Sequence, residues 1–225
     1  MNRRRLITTV LSFAGLETTS IHLIDMATAA PRDDRADANI NQNEKLEIAE
    51  EFRRTEIDFK AQEPLGSIIV DPHSKYLYFI HAEDRAIRYG VGVGRQGFEW
   101  KGEAIIRRKA KWPRWTPPKR MAKRDAFAAK WAKGMPGGLD NPLGARALYL
   151  FQGDVDTLYR IHGTTQPQSI GTATSSGCIR LINSEISDLY DRVKVGAKVF
   201  VASKPLPPQR FQAPLSDDTF SRGLY

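Results

Sequence analysis

Cys178 is the only cysteine in the 225-residue chain and sits in Ser175-Ser-Gly-Cys-Ile-Arg180-Leu181. His162 lies 16 residues earlier, in Tyr159-Arg-Ile-His-Gly-Thr164. Each stands at the edge of a β-like run, and the loop between them is rich in Gly, Ser and Thr. Pairing of those two runs would bring an imidazole against a sulfur. That pair suits nucleophilic catalysis, because a free thiol with a pKa near ~8.5 yields little thiolate at neutral pH unless a neighbour helps. Arg180 would add a positive charge and, if the strand alternates, share a face with Cys178. Gly177 would let backbone N–H groups approach a substrate carbonyl and hold an oxyanion. Taken singly, each residue has a plainer reading. Cys178 could be a small buried hydrophobe and His162 a hydrogen-bonded scaffold residue. One thiol and four histidines spread along the chain exclude an internal disulfide and a Cys-rich zinc site.

The runs that must position this pair follow period two. Ser67 to Asp71 and Lys75 to Ile80 read as a hairpin around Asp71-Pro-His-Ser74. Ala86 to Val93, Gly102 to Lys109, Ala145 to Gln152, Leu158 to His162, Cys178 to Ile182 and Lys198 to Ala202 complete the strands. Within this body only Ser184 to Val193 carries a helical stripe, through Ile186, Leu189, Tyr190 and Val193, with Ser184 as its N-cap. Many short strands and few helices predict a mostly β fold, a β-sandwich or a distorted barrel. Trp112 to Gly144 interrupts the pattern with Trp-Pro-Arg-Trp-Thr-Pro-Pro, a short helix around Asp125 to Lys133 and Pro-Gly-Gly. A connection of that length suggests a lid or binding loop, or three tryptophans covering an apolar face.

The composition is 41% hydrophobic and 27% charged, which excludes wholesale disorder, a collagen-like fibre and a multi-span membrane protein. The length suits one sizeable domain with flanking segments, or two small domains. Of 34 basic residues, nine lie between Arg107 and Arg124, where no acid occurs. The net charge of +8 is therefore a local patch that could hold an anionic polymer: nucleic acid, acidic lipid or a carboxylate-bearing wall polymer. Residues 1–30 read as an export signal. Arg3 to Arg5 precede the apolar run Leu6 to Leu16, small residues follow at Ala27 to Ala30, and the arginines resemble a twin-arginine signal. Glu17 ends the apolar run early, and the run is too short for an ordinary membrane span. Residues 31–63 read as a polar linker or pro-segment, in which Glu44 to Lys60 could form one helix. Residues 64–203 form the body. Residues 204–225 read as a tail whose Phe211, Leu215, Phe220 and Leu224 could dock on it.

His162-Gly-Thr, Ser169-Ile-Gly171 and Ser175-Ser-Gly-Cys-Ile-Arg180 together resemble the signature of the L,D-transpeptidase catalytic domain family (YkuD/ErfK-like). Tyr89-Gly-Val-Gly-Val-Gly94, Trp112-Pro-Arg-Trp-Thr-Pro-Pro118, Gly137-Gly-Leu-Asp-Asn-Pro-Leu-Gly144 and Lys194-Val-Gly-Ala-Lys-Val199 fit in order, so the resemblance runs from about Pro64 to Ala202. It implies a β-sandwich-like fold and a periplasmic or wall-facing enzyme acting on peptidoglycan. The implied roles are Cys178 as nucleophile, His162 as general acid/base, and Gly177 and Arg180 as oxyanion or substrate contacts, with no metal or cofactor required. The commoner family form has His before Gly-Cys, where this chain has Ser176, leaving His162 as the local base. The implied reaction is acyl transfer from a stem tetrapeptide to an amine acceptor. Water as acceptor would make an L,D-carboxypeptidase, and a protein lysine would make a wall-anchored protein. A non-catalytic wall-binding domain is a further rival. Trp112 and Trp115 among basic residues would also suit a single-strand nucleic-acid binder, but export would remove nucleic acid from reach.

Overall fold

A computed structural model describes residues 37, 40, 45, 47–95 and 100–211, all within the compact unit Asp34–Tyr225. The proposed export signal lies outside the described residues, as do Leu215, Phe220 and Leu224. No helix among the described residues is long and apolar enough to cross a membrane.

Eleven strands are described: β1 (Thr55–Asp58), β2 (Ile68–Asp71), β3 (Tyr76–Ala82), β4 (Arg85–Gly90), β5 (Val93–Gly94), β6 (Gly102–Lys111), β7 (Arg146–Gln152), β8 (Val155–His162), β9 (Ala173–Ser175), β10 (Ile179–Arg180) and β11 (Lys198–Val201). The α-helices are α1 (Lys119–Ala122), α2 (Ala126–Lys130) and α3 (Asn183–Arg192). Nine strands form one sheet in the order β1-β4-β3-β2-β11-β6-β7-β8-β10, and β5 pairs with β9 apart from it.

Alternation explains why this sheet folds over on itself. Ile68, Val70, Leu77, Phe79, Ile87 and Tyr89 from β2–β4 join Ile106, Leu148, Leu150, Ile161 and Ile179 from β6–β10 in one buried cluster. The two halves of the sheet therefore face one another across a shared core, and the fold is mostly β and sandwich-like. Helix α3 buries Ile186 and Leu189 in that cluster. On the outer face of β2 and β3, Ile69, Tyr78 and Ile80 form a satellite core with Phe59. Phe211 packs there against Phe59 and Tyr78, with ring centroids 5.5 and 5.6 Å away.

Several expectations are corrected. Glu44 to Lys60 is not one helix. Glu50–Phe52 is a single 3-10 turn, and Thr55–Asp58 is an edge strand pairing antiparallel with β4. Ile57 of this strand packs against the Phe59 cluster, a contact that local pattern does not reveal. Within the same segment Ile48 packs with Ile170 and Ile182, with Phe52 against that cluster. Ala86 to Val93 is two strands, because the chain leaves the main sheet after Gly90 and joins β9 at Val93. Cys178 to Ile182 contributes only two paired residues. Ser184 does not cap α3: Ile182 holds the N-cap position and makes no side-chain cap bond.

A β-bulge between Ile106 and Arg108 also splits the basic run, because Arg107 is the extra residue and Lys109 pairs with Leu148. Arg107 pairs with Asp154 at 3.1 Å. Lys109 turns to the other face and donates to the Tyr190 and Val193 carbonyls of the α3 end. Arg107 to Lys111 is therefore not a single basic patch.

Candidate active site

Strand β10 pairs parallel with β8, placing Ile179 beside Ile161 and Arg180 beside His162. Ile161 and Ile179 point into the shared core. By period two, Arg160, His162 and Arg180 project from the opposite face, and Cys178, one residue before β10, falls beside Arg160. Adjacent strands are ~4.8 Å apart and diagonal neighbours ~7–8 Å, so by this register Cys178 and His162 are diagonal neighbours on one face. Among the described residues no hydrogen bond joins them.

His162 is buried at 6% exposure, and its Nδ1 lies 2.6 Å from the Gly163 carbonyl oxygen. A carbonyl only accepts, so Nδ1–H donates and Nε2 keeps the lone pair. Burial pushes the His162 pKa down to about 4, with the Arg180 and Arg160 charges acting the same way; the Gly163 and Leu143 carbonyls oppose the shift. Burial pushes the Cys178 thiol up, against the opposing pull of the Arg160 backbone N–H and of the Arg160 and Arg180 charges. The resting pair at neutral pH is therefore a neutral thiol and a neutral imidazole. This corrects the expectation of a thiolate stabilised by its neighbours, because desolvation outweighs two arginines here.

Gly177 has φ +126°, a conformation glycine adopts readily and other residues rarely do. Its N–H donates to Ser175 Oγ at 3.1 Å, and Ser175 Oγ–H donates to the Cys178 carbonyl at 2.7 Å. The Gly177 amide is thus already engaged, and its contribution is the turn itself. The Cys178 N–H has no hydrogen-bond partner among the described residues. Arg180 ties the site to the small sheet. Its backbone exchanges two hydrogen bonds with Gly92, and its Nη2 donates to Thr174 Oγ1 at 2.7 Å. Ser176 is exposed.

Three positioning groups escaped the reading of the sequence. Asn183 accepts from the Ala145 N–H at 2.8 Å and donates to the Thr164 carbonyl at 2.9 Å. It clamps the end of the 112–145 connection to the turn after His162. A Cβ on Gly144 or Gly163 would collide with its Oδ1, which is why glycine occupies both positions. Asn141, fully buried, donates to the Pro113 and Pro136 carbonyls and accepts from the Leu143 N–H. Within the same connection Trp115, Ala128 and Met135 form a small core with Trp131. Asp125 caps α2 by accepting from the Ala128 N–H. Trp112 instead donates to Asp37, which also holds the buried Arg146. Third, the Phe52 ring lies against Gly171 in the loop joining His162 to Cys178. Asn next to a helix start and paired Gly in facing loops are the sequence signals for the first of these; Phe52 left none.

Residues 66–201 match the L,D-transpeptidase catalytic domain family, YkuD, and the chain belongs to that family. A probable L,D-transpeptidase ErfK/SrfK of Escherichia coli K12 is 33% identical over 146 residues, covering 62% of this chain and 44% of that protein. A putative L,D-transpeptidase of Fuscovulum blasticum is 35% identical over 138 residues, covering 60% of this chain and 68% of that one. A crystal structure from Brucella melitensis described as a probable carnitine operon oxidoreductase is 48% identical, covering 70% of this chain and 98% of that one, with a TM-score of 0.48. That backbone likeness is partial, and the family assignment rests on the sequence match. The chain spans about half the length of the Escherichia coli relative it matches.

Proposed function

We propose that this chain transfers acyl groups between peptidoglycan stem peptides through a thioester on Cys178. What supports this reading is the β8–β10 register in a family-matched domain: carried by alternation one residue beyond β10, it puts Cys178 on the face of His162. Cys178 Sγ attacks the carbonyl of the L-centre residue before the terminal D-amino acid of a tetrapeptide donor. His162 Nε2 takes the thiol proton as the C–S bond forms, because neither group is charged beforehand. The Cys178 N–H donates to the oxyanion of the tetrahedral intermediate. The amide C–N bond then breaks, and His162 returns the proton to the departing amine. An acceptor amine attacks the thioester, its proton passes to His162, and the thiol is released protonated. Arg180 braces the Cys178 turn against Gly92 and Thr174. In this reading residues 1–30 direct export, and the enzyme works in the periplasm or facing the wall.

Mass spectrometry of the full chain incubated with a tetrapeptide donor tests the reading. A mass increase on Cys178 equal to the donor minus its terminal amino acid, discharged to a cross-linked product by an amine acceptor, is the expected result. Discharge to free tripeptide alone would assign a carboxypeptidase. No adduct on an alkylatable thiol would remove the mechanism.

A further inference from the structure

The strand register continues the Cys178 row across the sheet. Tyr149 on β7 pairs with Arg160 on β8, and Arg108 on β6 pairs with Tyr149. Arg108 and Arg160 each place Cζ 4.4 Å from the Tyr149 ring centroid. They approach from the strands on either side of Tyr149, so the ring is held between two guanidiniums. The two arginines differ in what else they touch. Arg160 is fully engaged: both Nη atoms bind the Asp156 carboxylate, at 2.7 and 2.8 Å, and Nη1 also donates to the Tyr159 carbonyl. Arg108 is exposed, and among the described residues no hydrogen bond or ion pair engages its guanidinium. Two guanidiniums face one carboxylate here, Asp156: burial pushes its pKa up, but the hydrogen bonds from Arg160 and the Leu158 N–H and the charges of both arginines bring it below the ordinary value. The row therefore keeps one uncompensated positive charge.

We propose that this row is a carboxylate-binding subsite for the peptide attacked by Cys178, with Arg108 as the donor fork and Tyr149 and Arg160 as its rigid floor. A stacked guanidinium leaves its N–H edge free and held in one plane, which is the geometry for bidentate carboxylate recognition. Tyr149 lies two strands from the Cys178 position, ~10 Å by strand spacing. An extended peptide covers ~3.4 Å per residue, so the matching carboxylate lies within about three residues of the attacked carbonyl. The proposal rests on the acyl-transfer reading only for the peptide's identity.

Two synthetic tetrapeptide donors test it, identical except that one acidic side chain is replaced by its carboxamide. Binding to the Cys178→Ser chain and acylation of the parent chain are measured separately. The parent should acylate with the acid donor about tenfold faster at low donor concentration, and the Cys178→Ser chain should bind it about tenfold more tightly. Arg108→Ala should bring both ratios near unity, and Arg108→Lys should restore part of each. Arg107→Ala, on the neighbouring residue paired with Asp154, should leave both ratios as in the parent, which separates the fork from general positive charge. Equal binding of the two peptides by the Cys178→Ser chain, or an unchanged ratio in Arg108→Ala, overturns the subsite. A binding preference without any acylation of the parent would uphold the subsite and reject the acyl-transfer reading instead.

Discussion

The β2–β4 half of the sheet and the β8–β10 ladder are built in opposite ways. β2, β3 and β4 follow one another through tight turns and pair antiparallel along four to six residues. Their inward side chains meet the shared core directly, and their register is set by local alternation. The ladder beside the candidate pair pairs parallel over two residues, across a 16-residue interval. A pairing that short cannot fix its own geometry. Asn183, the Phe52 ring and the Leu143 end of the 112–145 connection supply what the ladder lacks. Substitutions in the first half should therefore act on stability, and substitutions among these props should act on turnover.

The sharpest break between the halves is Cys178→Ala. It should abolish acylation, a loss of at least ~10³-fold, while thermal unfolding stays close to the parent. Turnover like the parent's would end the thioester mechanism. Leu77→Ala, at a fully buried β3 position, should cost about 2–5 kcal/mol in denaturant unfolding. Acylation per folded molecule should stay the same, and a matching fall in it would dissolve the contrast between the halves.

His162 links the halves through pH. Its folded pKa of about 4 lies below the ordinary 6.5, so the unfolded chain binds the proton more readily. Its contribution to stability is complete above pH 6.5 and is lost as pH falls toward 4, by about 3 kcal/mol across that window. His162→Asn should flatten that part of the stability–pH curve. An unaltered curve would mean that the imidazole is not held neutral by burial. Asn183→Ala should act on stability and rate together, each less than the largest effects above. Losing its two hydrogen bonds should cost about 1–3 kcal/mol. The displaced His162 turn should slow acylation by about 10²-fold with little change in donor affinity. A stability loss with normal acylation would make Asn183 a structural residue only.

Most strands of the main sheet and the candidate pair Cys178 and His162 were legible in the residues alone. Period two in Ser67 to Ile80 and Ala145 to Gln152, and turn chemistry at Asp71 to Ser74, are local properties that survive in the folded chain. The sole thiol and His162 were visible for the same reason, since their types and motif do not depend on what surrounds them. The edge strand at Thr55, the division of Ala86 to Val93 and the packing of Phe211 on Phe59 and Tyr78 depended on distant partners, and local pattern misplaced or missed the first two. Protonation was decided by tertiary structure for a physical reason: desolvation comes from surroundings that no neighbour in sequence specifies. The same holds for the Gly177 amide, which Ser175 Oγ occupies, and for Arg108, whose place beside Tyr149 follows from a register spanning three strands. Residue types and their periodicity determined which chemistry this chain could perform. Burial and register, which exist only once the sheet has folded over, decided which groups are charged, which donors are free and which face they share.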